Sequence, residues 1–219
     1  MSTPLVNAAK AATKGNSPLH IRLSGLPQTT TPADIQRLLR RHKVEHVSDV
    51  GLDYRRFWPT GRAYVSLASQ ESQRFALKAM RNVTFFTKTV TSSETPAPEG
   101  PPPRTRGVKG REFAATRGVV TGSGERGGIW ETERSVILAG LPGKINVNEV
   151  RGMLKGYKLA SGTSQIVKLD RIEDSVCSRV LVRLNSVSEA HRLVRNIHMT
   201  YMNQSHLGSE YLVHARIVL

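Results

Sequence analysis

The sequence predicts an α+β protein made of two βαββαβ units joined by a linker rich in proline, glycine and arginine. Three observations predict it. Ile21-Arg22-Leu23-Ser24-Gly25-Leu26-Pro27 returns 115 residues later as Val136-Ile137-Leu138-Ala139-Gly140-Leu141-Pro142, and the register then holds without a gap: Ile35 meets Val150, Leu38 meets Met153, Leu39 meets Leu154 and Lys43 meets Lys158. Divergent identity with matched chemical type marks two copies of one fold unit. Hydrophobic periodicity switches from strand-like to helical in the same order in both copies. Between them the apolar periodicity disappears. The resulting division is a tail over 1–17, a first unit over 18–93, a linker over 94–133 and a second unit over 134–219.

In the first unit, Leu19–Leu26 alternates as a strand, with Ile21 and Leu23 on one face and Arg22 on the other. Thr31-Pro32-Ala33-Asp34 supplies an N-cap, a proline at the first helical position and an acid at N3. Ile35, Leu38 and Leu39 form the buried stripe of the helix, and Arg40, Arg41 and Lys43 sit at its C-terminal end, where the helix dipole favours cations. A second strand is predicted over Val47–Leu52, then a loop holding Arg55, Arg56, Phe57, Trp58 and Pro59. The third strand is Arg62–Leu67, with Ala63, Val65 and Leu67 inward and Arg62, Tyr64 and Ser66 outward. Ser69 caps a helix through Met80, and Lys88–Thr91 closes the unit.

The linker opens with Pro96, Pro98 and Pro101-Pro102-Pro103 and continues with Arg106-Gly107, Arg117-Gly118 and Arg126-Gly127-Gly128. It reads as a flexible spacer, extended where proline-rich; a sharper reading is a segment that stacks on RNA and orders when bound. Ile129-Trp130 is an apolar pair expected to pack onto the second unit. That unit repeats the order: Val136–Leu141 as a strand, Asn146 and Glu149 capping a helix with Val150, Met153 and Leu154, then strands Ile166–Asp170 and Arg179–Leu184. Ser186 and Glu189 start a helix with Ala190, Leu193, Val194 and Ile197 at i, i+3, i+4, i+7. Tyr211–Leu219 is the last strand.

Charge says what such a chain meets. The net charge is +15 at pH 7, and its distribution matters more than its size: the two units carry +7 and +6 while the linker is balanced. A polyanion contacting both units is the implied partner. The single cysteine, Cys177, excludes internal disulfides and cysteine-based zinc sites. Of the seven histidines only His42 and His46 stand at a metal-ligand spacing, with no cysteine beside them, and neither a metal nor another cofactor is expected. No apolar run approaches the roughly 18 residues of a membrane span, and no membrane partner is expected. Residues 1–17 lack acids but also arginine, so a plain disordered tail and a mitochondrial targeting segment both stay open.

The twice-repeated βαββαβ order with basic exposed strands resembles the RNA-recognition motif (RRM) family, of ferredoxin-like fold. That family carries a hexamer on the first strand and an octamer of the type K/R-G-F/Y-G/A-F-V-x-F/Y on the third. The octamer position here is Thr60-Gly61-Arg62-Ala63-Tyr64-Val65-Ser66-Leu67. Gly61, Ala63, Tyr64 and Val65 match, Arg62 replaces an aromatic, and Arg22 stands at the hexamer's other stacking position. A guanidinium is planar, stacks on bases and adds charge for phosphate. The resemblance therefore implies RNA binding by Arg22, Arg62 and Tyr64, with Arg55, Arg56, Arg179 and Arg183 as further contacts.

The second octamer, Cys177-Ser178-Arg179-Val180-Leu181-Val182-Arg183-Leu184, has no aromatic. An exposed Ile137/Leu181 pair is expected there, with Trp130 nearby, suiting a protein partner, the linker or a phosphate backbone. The expectation is a non-enzymatic RNA-binding protein acting on single-stranded RNA in RNA processing or metabolism. The alternative is a structural component of a large ribonucleoprotein on ribosomal RNA, such as a mitochondrial ribosome. The expected place is intracellular, in the mitochondrion or the nucleus. No Gly-rich phosphate loop, paired-acid motif or metal cluster points to an enzyme.

Overall fold

Both copies of the Gly-Leu-Pro motif do the same backbone work. In the computed structural model of the chain, which describes residues 19–96, 122–129, 131–161, 165–170, 175–204 and 209–219, Gly25 and Gly140 have φ of +88° and +83°. A Cβ at Gly25 would meet the carbonyl oxygen of Thr89, and one at Gly140 that of Leu212. Gly25 follows the end of the first strand of its unit and Gly140 sits at a register shift near the end of its own, each pressed against the backbone of the unit's last strand. Only a residue without a side chain fits.

The chain divides into two compact units, Met1–Asp53 with Pro59–Glu99 and Tyr54–Trp58 with Gly100–Leu219. The elements of the first half are β1 (Leu19–Ser24), α1 (Pro32–Arg41), β2 (Val47–Arg55), β3 (Trp58–Leu67), α2 (Gln70–Ala79), β4 (Val83–Phe85) and β5 (Lys88–Thr95). The sheet order is β4-β5-β1-β3-β2, with the two-residue β6 (Gly124–Glu125) beyond β2. β1 lies antiparallel between β3 and β5, pairing Ile21 with Val65 and Leu23 with Ala63. Those four side chains are fully buried with Ile35, Leu39, Leu67, Ala76, Met80 and Val90. Burying an aliphatic side chain of this size contributes about 1.5–3 kcal/mol. The helix start is as read: Thr31 Oγ1 accepts from the Asp34 N–H, and the Asp34 carboxylate accepts from the Thr31 N–H, a capping box with Pro32 at the helix start.

The second half follows with β7 (Ser135–Pro142), α3 (Val147–Met153), β8 (Ile166–Leu169), β9 (Cys177–Arg183), α4 (Val187–Ile197), β10 (Thr200–Gln204) and β11 (Ser209–Ile217), in the sheet order β10-β11-β7-β9-β8. Val136, Leu138, Val180, Val182, Val213 and Ala215 face the helices and pack with Val150, Leu154, Ala190, Leu193 and Ile197. At the position matching Gly61 stands Ser178, fully buried, its hydroxyl donating to the Pro142 carbonyl at 2.8 Å.

The structure differs from the sequence reading in three places. Each unit gains a strand before its last, β4 and β10, so the order is βαββαββ. The expected loop Arg55–Pro59 is a tight hairpin turn in which Arg56 (φ 52°) and Phe57 (φ 65°) both adopt left-handed backbone. Phe86 and Thr87 (φ 50° and 71°) do the same between β4 and β5, leaving the Phe86 ring exposed beside Phe85. Two-residue hairpins need positive φ at both positions, and their sequence signal is Asn-Gly or Asp-Gly. Neither hairpin has it.

The third difference lies in the linker. Phe57 is buried, its N–H donates to the Gly122 carbonyl at 2.6 Å, and Gly122 and Gly127, both at positive φ, lie against its ring so closely that a Cβ on Gly127 would stand 3.0 Å away. Arg126–Gly128 is a 3-10 turn, so this Arg-Gly-Gly segment is a folded cradle for a phenyl ring rather than a spacer. Residues 97–121, with Arg106-Gly107 and Arg117-Gly118, lie outside the described residues, as do residues 1–17 and Trp130.

Gly140→Ala is expected to destabilise the second unit by at least about 2 kcal/mol, because left-handed strain in a residue with a Cβ alone amounts to about 1–2 kcal/mol and the Leu212 carbonyl must also move. Gly124→Ala, at φ +90° with no atom within 4 Å of the new Cβ, isolates the strain and should lose about 1 kcal/mol. Urea unfolding measures both; equal losses would remove the close approach as the reason for Gly140.

Candidate nucleic-acid interface

Strand alternation divides the first sheet into an apolar face under the helices and a polar open face. On that face the register places side chains in three cross-strand rows: Ser93–Arg22–Tyr64, Thr91–Ser24–Arg62 and Thr95–His20–Ser66. Directly opposed residues on neighbouring strands stand with Cβ atoms about 4.5–5.5 Å apart. Arg22 and Tyr64 are therefore immediate neighbours, and Arg62 is two residues from Tyr64 on β3. Arg62 is exposed; Arg22 and Tyr64 are half-buried. The three residues singled out in the sequence thus share one surface.

His20 was missed, although it lies two residues before Arg22 and the same alternation would have found it. Its Nδ1 is 2.9 Å from the Ser66 hydroxyl. Its Nε2 and the Arg22 Nε are shielded from solvent and have no hydrogen-bond partner among the described residues. Burial holds the His20 pKa below the usual imidazole value, while the Asp49 carboxylate acts in the opposite direction. The imidazole and the guanidinium thus each keep one enclosed nitrogen without a hydrogen bond, at a cost in stability.

On the second sheet the open-face rows are Arg216–Ile137–Leu181–Val167 and His214–Ala139–Arg179–Leu169, with Arg183 opposite Ser135. The Ile137/Leu181 pair, expected to be exposed, is buried: Leu181 is fully enclosed and Ile137 nearly so. Within this unit, Ile137 and Ala139 share a small cavity with Arg56, Phe57 and Trp58, so an apolar pair that would have faced water is covered by apolar and stacked groups. Arg179 is not a free cation either. Its Nη1 donates to the Arg56 carbonyl at 2.8 Å and its Nη2 to the Asp170 carbonyl at 3.1 Å. Arg216 lies over the Trp58 ring at 5.1 Å, and the Tyr54 hydroxyl both donates to the Leu219 carbonyl and accepts from the Leu219 N–H. Arg55 and Arg56 are exposed, and Arg183 is half-buried.

Among the described residues no group of three or more metal-ligating side chains occurs, and no helix is long and apolar enough to cross a membrane.

Strand order, register and helix placement give both halves an RRM-type α+β fold, the second lacking exposed aromatic side chains at the octamer position. No protein-family model matches the chain, and no curated protein matches it. Among solved structures it is similar to RNA recognition domains 1 and 2 of Sex-lethal from Drosophila melanogaster, at 16% identity over 90% of this chain and 98% of that one, with TM-score 0.32. The N-terminal three RNA-binding domains of the yeast splicing factor Prp24 match at 12% identity over 90% of this chain and 64% of that one, TM-score 0.30. The Glorund qRRM2 domain matches at 19% identity over 37% of this chain and 92% of that one, TM-score 0.34.

His20 also predicts a pH dependence. Because burial disfavours its charged ring, its folded pKa lies below the unfolded value of about 6.5. The unfolded chain then takes up the proton first as pH falls, so stability linked to His20 is complete above about pH 6.5 and is lost below it. Replacing it by glutamine (His20→Gln) should flatten the decline in unfolding free energy between pH 7.5 and 5.5; an unchanged decline would show that His20 titrates as it does in water.

Proposed function

We propose that the chain is an RNA-binding protein whose first sheet takes unpaired bases on Tyr64 and Arg22, with Arg62 supplying charge to the adjoining phosphate. The observation that carries this reading is the cross-strand pair Arg22–Tyr64 on the open face, with Arg62 exposed on the same strand as Tyr64. A phenol ring stacks on any base, and a planar guanidinium beside it stacks and attracts the backbone. With one aromatic instead of the usual two or three, binding rests more on charge and less on base identity. The net charge of +15 fits that balance.

Single-stranded oligoribonucleotides titrated at several salt concentrations test it. Tyr64→Ala should weaken binding by about 1–3 kcal/mol, the worth of one stacked base, and Tyr64→Phe should retain most of the affinity. Arg62→Gln should lower the salt slope by about one. Unchanged affinity in the Tyr64→Ala, Arg62→Gln double variant would reject the first sheet as the site.

A further inference from the structure

The second unit holds a feature that the stacking site does not use. A cavity of about 80 Å³ is lined by Arg56, Arg179, Arg216, His198 and His214, with walls of Phe57, Trp58, Ile137, Ala139 and Ala215. None of the ten is acidic. Apolar walls lower the local dielectric and strengthen whatever charge interaction occurs inside.

Arg179 and Arg216 are oriented by main-chain carbonyls and a ring face. Arg179 is tied to the main-chain carbonyls of Arg56 and Asp170, which leaves its Nε shielded and without a partner among the described residues. Its pKa is held down first by burial and then by the like charge of Arg56, with the Asp170 carboxylate opposing. Arg216 is oriented by the face of Trp58. His198 Nδ1 accepts from the Ala215 N–H at 3.2 Å, which puts the proton of a neutral ring on Nε2 and makes that nitrogen a donor; the His214 ring is 5.8 Å away. The polar groups of the lining side chains are thus guanidinium, imidazole and indole, without a carboxylate, amide or hydroxyl. Adenine and cytosine edges present N–H donors that a lining of guanidinium groups cannot accept. An anion needs only donors and charge.

We propose that this cavity binds a phosphate group of RNA, with Arg216, Arg56 and the histidine pair as its donors and Arg179 as the positioning residue that fixes the carbonyl framework around it. The proposal builds on the RNA reading: the first sheet reads bases by stacking, and the second, lacking exposed aromatics, holds the strand by a backbone or terminal phosphate.

The full chain carrying Trp130→Phe leaves Trp58 as the single indole, and its emission reports on the cavity. It would be titrated, at constant ionic strength, with inorganic phosphate and with 5′-phosphorylated and 5′-hydroxyl tetraribonucleotides, and calorimetry on the unsubstituted chain repeats the phosphate titration without the tryptophan change. The expected result is a saturable response to phosphate that weakens at least tenfold in Arg216→Gln and in His214→Gln and persists in Tyr64→Ala. Preference for the 5′-phosphorylated strand assigns the cavity to a terminal phosphate, and equal binding of both strands to an internal one. A response that never saturates, or one unchanged in Arg216→Gln, overturns the proposal. The two readings fail separately. Loss of all oligonucleotide binding with phosphate binding intact removes the RNA function and leaves an anion site; Tyr64-dependent RNA binding without a phosphate response removes only the cavity.

Discussion

Everything in either unit depends on a backbone approaching a backbone. Toward the end of the first strand the backbone takes positive φ directly against a carbonyl of the last strand, at Gly25 on Thr89 just past β1 and at Gly140 on Leu212 at the register shift in β7. The sheet closes there, and that closure fixes which side chains of β1 and β7 face the helices and which face outward. A slip of one residue would exchange the faces. Arg22 would then lie in the core and Ile21 in water. Because the contact is made by main-chain atoms, it is indifferent to the side chains around it, and the two copies could diverge in nearly everything else while keeping it.

That divergence separates two surfaces of opposite character. The first sheet keeps an open face of hydroxyls, two arginines, a histidine and one phenol ring. The second has Leu181, Ile137 and Ala139 where the first has the ring, Arg22 and Ser24, and its open face is covered instead of bare. Arg179, read from sequence as a contact for RNA, uses two of its nitrogens on carbonyls. The same residue type at the same octamer position, Arg62 in one copy and Arg179 in the other, is a solvent-facing cation in the first and a structural tie in the second.

Local signals were the ones that could be read. Thr31 with Asp34 and Asn146 with Glu149 announced their helices because a capping box is complete within four residues. Alternation placed Arg22, Arg62 and Tyr64 together for the same reason: period two is a property of each strand by itself. The missed features join positions far apart in the chain. Phe57 and Gly122 are 65 residues apart in sequence, and nothing near either announces the other. The turns at Arg56-Phe57 and Phe86-Thr87 carry no glycine or asparagine, so local preference opposes both, and at the first the contacts of Gly122 and Gly127 with the buried Phe57 ring hold the backbone. Burial of Ile137 and Leu181 depends on what lies over the sheet, which a strand pattern does not encode.

Phe86 presents a bare ring at the tip of its hairpin, and Trp58, Phe75 and Tyr201 are also substantially exposed. In the free protein, mutual repulsion among molecules of charge +15 keeps such rings from meeting. A polyanion cancels that repulsion. Near charge balance the complex is therefore less soluble than the protein alone, and stoichiometry, beyond affinity, decides whether it stays dispersed or separates into a dense phase.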